Sequence, residues 1–184
     1  MSGSSLLEAI ADDNPSFVKK WLGSKNNDIN AVVDPKTGNT PLHIAATNNS
    51  LAIAKMLLKK GILPNAMDKK GWTPLHCAAY SAHIKMCELL LDFGADVTLK
   101  NSNDTTPLHY IARLNLKTCD ISGQHHIMNL MIERGADVNA INNVGASVLE
   151  ETCGRGVFET VEYLLNHNAN IEHRNSFVLS LSLS

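Results

Sequence analysis

Histidine recurs at a fixed interval in this chain. His43, His76 and His109 each end the tetrapeptide TPLH, at Thr40–His43, Thr73–His76 and Thr106–His109, with thirty-three residues from one start to the next. A histidine on a regular period could belong to a metal array, a catalytic series or a structural device. Zinc ligands must converge to bonds of about 2.0–2.1 Å, whereas neighbouring packed helices lie about 8–10 Å apart. Histidines of successive repeats therefore do not share a zinc. Thr before Pro is instead a helix start, with Thr at the N-cap and Pro at the first helical position. Histidine then falls three residues after the cap, where its side chain can reach back as in a capping box. Further along, Ser147-Val-Leu-Glu150 keeps that geometry in an S-x-x-E box without histidine, so the histidines are read as braces.

Other groupings offer less chemistry. His125 and His126 with Cys119 have some metal character. Adjacent residues on a helix point about 100° apart, however, so at most one histidine would face the cysteine, and a surface helix start explains the pair as well. Glu150 and Glu151 fall at a helix N-terminus, where carboxylates favour the helix dipole without a catalytic role. The chain has no phosphate-binding G-x-x-x-x-G-K-[ST], no G-x-S-x-G and no H-E-x-x-H motif. No enzyme activity, catalytic residue, metal or cofactor is expected.

The elements that would position these residues follow from composition and pattern. At 184 residues the chain can bury one substantial core. Aromatics are only 5%, which suits helices packed through Leu, Ile and Ala. A formal charge of −2 gives no reason to expect a nucleic acid, and no apolar run approaches the roughly 18–20 residues of a membrane span. The start, MSGSSLLEAIADDNP, lacks a basic n-region and carries acids where a signal peptide is apolar; no lipidation motif is present at either end. Cys77, Cys87, Cys119 and Cys153 are widely spaced, as expected of small buried apolar residues in a reduced compartment. A cytoplasmic protein is expected, with the nucleus as the other setting.

Gly61, Gly94 and Gly135 each follow an apolar helical run, and GADV follows two of these runs. Ile53, Met56 and Leu57, then Met86, Leu89 and Leu90, fall at helical spacing. Each unit thus predicts a turn, a short helix, a longer helix, a glycine stop and an extended loop. LLEAIADD and PSFVKKWL near the N-terminus predict two further helices, the second capped by Asn14 with Pro15 at its first position. The third repeat holds eight extra residues around Leu114–Gly123. Ser122-Gly123 is read there as a break in helical periodicity, which predicts a protruding loop rather than added turns. Asparagine is abundant, with nineteen residues in the chain, and crowds the turns between repeats, as in Asn101-Ser-Asn103-Asp and Asn142-Asn143, consistent with turn chemistry.

TPLHIAA, TPLHCAA, LLLDFGADV and MIERGADVN closely resemble the ankyrin repeat, over roughly Ile29–Arg174. The resemblance implies an all-α repeat solenoid of helix–turn–helix units joined by β-hairpin fingers. The organisation it gives is a capping repeat at 1–33, repeats at 34–66, 67–99, 100–140 (with the insertion near 114–123) and 141–174, and a tail or truncated repeat start at 175–184. It also implies that proteins bind at the finger tips and the concave face of the first helices. Carried over position by position, those sites fall on Lys36, Thr37, Asn39, Thr47 and Asn48, then on Lys69, Lys70, Trp72, Tyr80 and Ser81. In the third and fourth repeats they fall on Ser102, Asn103, Thr105, Arg113 and Leu114, and on Asn143, Val144, Ala146, Gly154 and Arg155.

Trp72, Tyr80 and the flanking Lys69–Lys70 have the composition of an interface hot spot; the alternative is that Trp72 packs along its neighbours' alkyl chains. Two functions are expected from this pattern: an interaction module of a larger signalling or adaptor protein, or a stand-alone ankyrin-type inhibitor that blocks one enzyme. In either case the partners are proteins, without nucleic acid or membrane, and the chain is monomeric by itself.

Overall fold

The computed structural model describes residues 3–114 and 120–172. Cys119, positions 115–119 of the insertion and the tail at 175–184 lie outside the described residues. Among the described residues there are ten α-helices, one 3-10 turn and no strand; a single antiparallel bridge pairs Ile141 with Ser147. The fingers are therefore held by turns rather than by β-hairpin strands. The chain divides into two compact units, Met1–Asp96 and Val97–Ser184.

The first unit contains α1 (Gly3–Ala11), α2 (Pro15–Leu22), the 3-10 turn Ile29–Ala31, α3 (Pro41–Thr47), α4 (Leu51–Lys59), α5 (Pro74–Tyr80) and α6 (Ile84–Asp92). The first helices of each pair, α1, α3 and α5, pack in one row, and α2, α4 and α6 in a second. Helices of seven to nine residues are too short to persist alone in water, so burial must hold them. Leu42, Ala45 and Ala46 of α3 and Leu75, Ala78 and Ala79 of α5 are fully buried. The alanines let neighbouring backbones approach closely. In the second row, Ile53, Ala54, Leu57 and Leu58 of α4 match Met86, Cys87, Leu90 and Leu91 of α6. These adjacent pairs, one turn apart, give each helix an apolar side for both of its neighbours.

Asparagines clip successive repeats together. Asn30 donates from Nδ2 to the Gly61 carbonyl at 3.2 Å, and its Oδ1 accepts the Leu63 N–H at 3.0 Å. Asn65 repeats the arrangement one unit later, with the Gly94 carbonyl at 3.1 Å and the Asp96 N–H at 2.8 Å. Each clip satisfies a loop backbone donor and acceptor that would otherwise depend on water.

The second unit contains α7 (Pro107–Ala112), α8 (Ile121–Glu133), α9 (Val148–Cys153) and α10 (Phe158–Asn166). There α7 packs against α9, and α8 against α10. Asn139 clips this pair of repeats through the Asn168 carbonyl and the Asn170 N–H, at 3.2 and 2.7 Å.

The insertion departs from the expected loop. Helix α8 has thirteen residues against nine in α4, α6 and α10, and Ser122 and Gly123 lie in its first turn. Asp120 caps them, accepting the Gly123 N–H at 2.9 Å. Buried Gln124 adds a tertiary reason for the early start. Its Nε2 donates to the carbonyls of Ile111, Ala112 and Leu114 at 2.8, 3.2 and 3.3 Å, satisfying the C-terminal end of α7. Its Oε1 accepts the Thr160 hydroxyl at 3.3 Å. Part of the added length thus becomes a longer second helix. The cysteines also differ from expectation, because Cys87 is buried while Cys77 is half-buried and Cys153 exposed.

Candidate functional site

The histidines brace the helix starts, and His43 also reaches the next finger. The four helices α3, α5, α7 and α9 start in capping boxes, three through histidine and one through Glu150. In each histidine box Nδ1 accepts the backbone N–H of the capping threonine, at 3.1 Å for His43, 3.2 Å for His76 and 3.3 Å for His109. The threonine Oγ1 lies 2.8 Å from the same nitrogen in all three. An Nδ1 that accepts an N–H carries no proton, so the ring is the neutral Nε2–H tautomer. In His43 that Nε2–H donates to the Trp72 carbonyl of the next finger at 2.9 Å. Burial pushes the pKa of His43 and of His109 below the usual imidazole value. All three histidines are fully buried and have the roles of braces.

The finger turns are set by a second repeated device, which the TPLH motif does not reveal. Asp68 Oδ1 accepts the N–H groups of Lys70 and Trp72, both at 2.8 Å. Asn101 does the same for Asn103 and Thr105, at 2.9 and 3.1 Å, and Asn142 for Val144 and Ala146, at 3.1 and 2.9 Å. The first finger is one residue longer. Asp34 accepts the Lys36 N–H at 2.8 Å and the Thr37 hydroxyl at 2.9 Å, and Thr37 Oγ1 in turn accepts the Asn39 N–H at 3.1 Å. The hydroxyl bridges the extra length. These contacts, led by the Lys36 N–H, hold the Asp34 carboxyl below the usual range.

The first two fingers then lock onto each other. The Lys69 N–H donates to the Thr37 carbonyl at 3.0 Å, and Lys69 Nζ donates to the Pro35 carbonyl at 2.7 Å. Gly38 permits the approach, since a Cβ there would lie 2.9 Å from the Lys69 nitrogen. Between the fingers is an open depression of about 380 Å³ lined by Lys36, Thr37, Asn39, Asp68, Lys69, Lys70, Trp72 and Cys77. Trp72 is half-buried. Its ring meets Tyr80 edge-on, with centroids 5.5 Å apart, and lies 6.0 Å from His76. Tyr80 itself is 59% exposed. The structure thus brings Lys36, Asn39, Lys69, Lys70, Trp72 and Tyr80 into one patch built by two repeats. Asn48 is exposed and Ser81 half-buried at the ends of α3 and α5.

Asp68, absent from the expected site, is the residue that shapes this patch. Cys77 was also unforeseen as a lining residue. Burial pushes its thiol up to about 11, so at neutral pH it is protonated and lacks the thiolate that nucleophilic chemistry needs.

In the second unit the expected site residues are divided. Asn103 and Arg155 are exposed. Thr105 is not: it is 7% exposed, with its N–H held by Asn101 and its hydroxyl donating to the Asn103 carbonyl at 3.3 Å. It orders its own turn and presents little surface to a partner. Leu114 is likewise buried, and its carbonyl accepts a bond from Gln124 Nε2. Arg113 is half-buried, with its guanidinium carbon 4.5 Å from the Tyr110 ring centroid and its Nη1 3.5 Å from Glu151 Oε2. Tyr110 in turn accepts a bond from Asn101 Nδ2 at 2.9 Å. This packed aromatic and ionic cluster replaces the exposed arginine expected there. On α8 and at the end of α10, the Tyr163 ring stacks against His125 and His167, with centroids 4.3 and 4.1 Å apart. His125 is thus engaged by an aromatic ring, and Cys119 lies outside the described residues. Among the described residues, no group of three His, Cys, Asp or Glu side chains is arranged to hold a metal, and no helix is long and apolar enough to cross a membrane.

Comparison with known proteins agrees with this architecture. The sequence profile of ankyrin repeats (3 copies) matches residues 6–101 and 63–143. Among curated proteins, the chain is 47% identical over 58 residues to the Ankyrin repeat and KH domain-containing protein mask-1 of Caenorhabditis elegans. It is 36% identical over 56 residues to the Probable E3 ubiquitin-protein ligase XBOS32 of Oryza sativa subsp. japonica. Each match covers 30% of this chain, but only 2% and 11% of those proteins respectively. Ankyrin repeats generally mediate protein–protein interaction and are typically not enzymatic. The profile match spans well over half of the chain, the capping boxes recur at the spacing of the TPLH motif, and the protein belongs to the ankyrin-repeat family.

Proposed function

We propose that the chain binds a protein partner through the first two fingers and the adjoining surface of α5. It would act there as an interaction module within a larger signalling or adaptor protein of the cytoplasm or nucleus. The observation that carries this reading is the edge-on Trp72–Tyr80 pair beside the finger depression, at 5.5 Å between centroids, flanked by Lys36 and Lys70. Aromatic anchors surrounded by polar rim residues are the composition of hot spots. The Trp72 backbone is held by His43 and Asp68, so this half of the pair is positioned before a partner arrives, which lowers the entropic cost of binding. That both curated relatives are far longer than their matched segments supports a module rather than a free-standing inhibitor.

Capture from native lysate tests the proposal. Wild-type protein and Tyr80→Ala, immobilised at equal density, are compared by quantitative mass spectrometry. Specific proteins retained by the wild type and lost with Tyr80→Ala are the expected result. Identical retained sets would remove Tyr80 from the interface and, with it, this assignment of the surface.

A further inference from the structure

A second depression lies away from the fingers, where α2 and α4 pack together. It has a volume of about 390 Å³ and is lined by Lys19, Leu22, Gly23, Met56, Lys59 and Lys60. Leu22 and Met56 are half-buried and form its floor, while Lys19, Lys59 and Lys60 are exposed around it. The two helices that line it, α2 and α4, carry charge of one sign only, although Asp28 and Asp34 lie in the chain between them and α6, packed against α4, carries Glu88 and Asp92. Residues 14–27 and 35–67 contain Lys19, Lys20, Lys25, Lys36, Lys55, Lys59 and Lys60 and not one Asp or Glu. The whole chain nevertheless has a net charge of −2. Helix dipoles favour a cation at the end of α2 and of α4. They do not account for the lack of carboxylates on α2 and α4 themselves or for an apolar recess between the ammonium groups.

We propose that this recess is a second protein-docking surface, separate from the finger site, which receives an acidic segment presenting one aliphatic side chain. The side chain would enter the recess over Leu22 and Met56, and flanking carboxylates would meet Lys19, Lys59 and Lys60. Long lysines suit this task, since their alkyl stems extend the apolar wall while the charged ends stay in water. Charge complementarity of this kind governs encounter rate and partner choice more than raw affinity. The geometry favours a peptide over the other polyanions. Among the described residues no aromatic ring lines the recess to stack a base, and its apolar side chains lie half-buried rather than projecting as a bilayer-inserting face would require.

The test uses the full chain and a fluorescein-labelled peptide of repeated Glu-Glu-Leu triplets, with binding followed by anisotropy. Control peptides carry Lys for Glu, or Gly for Leu, and vesicles of phosphatidylserine and phosphatidylcholine serve as the lipid probe. Three results support the proposal together. The Glu-Glu-Leu peptide binds at least about 10-fold tighter than either control, Lys59→Glu with Lys60→Glu weakens it by about 10-fold, and Tyr80→Ala leaves it unchanged. Raising salt from about 50 to about 300 mM should weaken it as well. Lys59→Gln with Lys60→Gln, checked for an unchanged melting temperature, repeats the test without charge reversal. Equal affinity for the Lys peptide, wild-type affinity in both lysine variants, or binding of vesicles without binding of the peptide would each overturn it. Loss of binding with Tyr80→Ala alone would also overturn it, by placing the peptide at the fingers.

Discussion

The Nε2 atom of His43 lies 2.9 Å from the carbonyl oxygen of Trp72, joining the helix start of one repeat to the finger of the next. The other ring nitrogen accepts the Thr40 N–H, so one imidazole satisfies groups on both repeats inside a fully buried site. His43→Ala removes both bonds and leaves a cavity, and a cost of about 2–4 kcal/mol is expected. Urea unfolding monitored by circular dichroism measures it. A loss below about 0.5 kcal/mol, the size of an ordinary surface effect, would show that the ring does not brace the stack.

The same geometry predicts a pH dependence. Burial lowers the folded-state pKa of His43 and His109 below an unfolded value near 6.5. The unfolded chain therefore binds more protons in the window below about pH 6.5, and stability rises with pH there. The contribution is complete above about 6.5 and is lost as pH falls from there toward the lowered folded values, by at most about 1.4 kcal/mol per pH unit for each histidine. Protonating Nδ1 also converts an acceptor into a donor facing the threonine N–H. Unfolding midpoints measured between neutral and mildly acidic pH should fall, and less steeply in His43→Ala. A flat profile would contradict the neutral-brace assignment.

Gly38 has φ of +83°, and its Cβ position would lie 2.9 Å from the Lys69 backbone nitrogen. Gly38→Ala meets two costs at once, a left-handed backbone and a clash with the neighbouring finger, and should lose about 1–3 kcal/mol. The shift should be visible in thermal melting. An unchanged melting temperature would mean that the two fingers are not locked through this contact.

Ala82 turns from α5 to α6 with φ of +59°, where the equivalent turn between α3 and α4 has Asn49 at +58°. A left-handed alanine is strained by roughly 1–2 kcal/mol, whereas asparagine tolerates the conformation. Ala82→Asn should therefore stabilise the protein, by about 0.5–1 kcal/mol, in the same unfolding assay. Destabilisation would show that the Ala82 methyl is needed for packing.

What the sequence made legible follows from locality. A capping box lies within four residues, so Thr40–His43 and Ser147–Glu150 declare their own geometry, and the glycine stop at Gly61 is equally local. The finger anchors are local too, but they are obscured. The role passes from Asp34 and Asp68 to Asn101 and Asn142, and the first finger has one more residue between anchor and cap. Exposure is not local. Thr105 and Leu114 occupy variable motif positions, yet both are buried in the folded chain. The long start of α8 depends on Gln124 satisfying carbonyls ten or more residues away, so Ser122-Gly123 could be read as a helix breaker. The clips made by Asn30, Asn65 and Asn139 were concealed for the same reason, since each reaches a backbone about thirty residues distant.

The measurement that bears most directly on the finger surface is site-specific photocrosslinking in native lysate. A benzophenone amino acid is placed at position 70, at position 80, or at the exposed control position 133 of α8. The predicted result is one shared set of crosslinked proteins from positions 70 and 80 and none of them from position 133. Alanine at Trp72 or Tyr80 should weaken binding of the same proteins by about 2 kcal/mol or more, with little change in melting for the more exposed Tyr80. Equal crosslinking at all three positions, or capture unaffected by Tyr80→Ala, would contradict the assignment of the Trp72–Tyr80 patch as the binding surface.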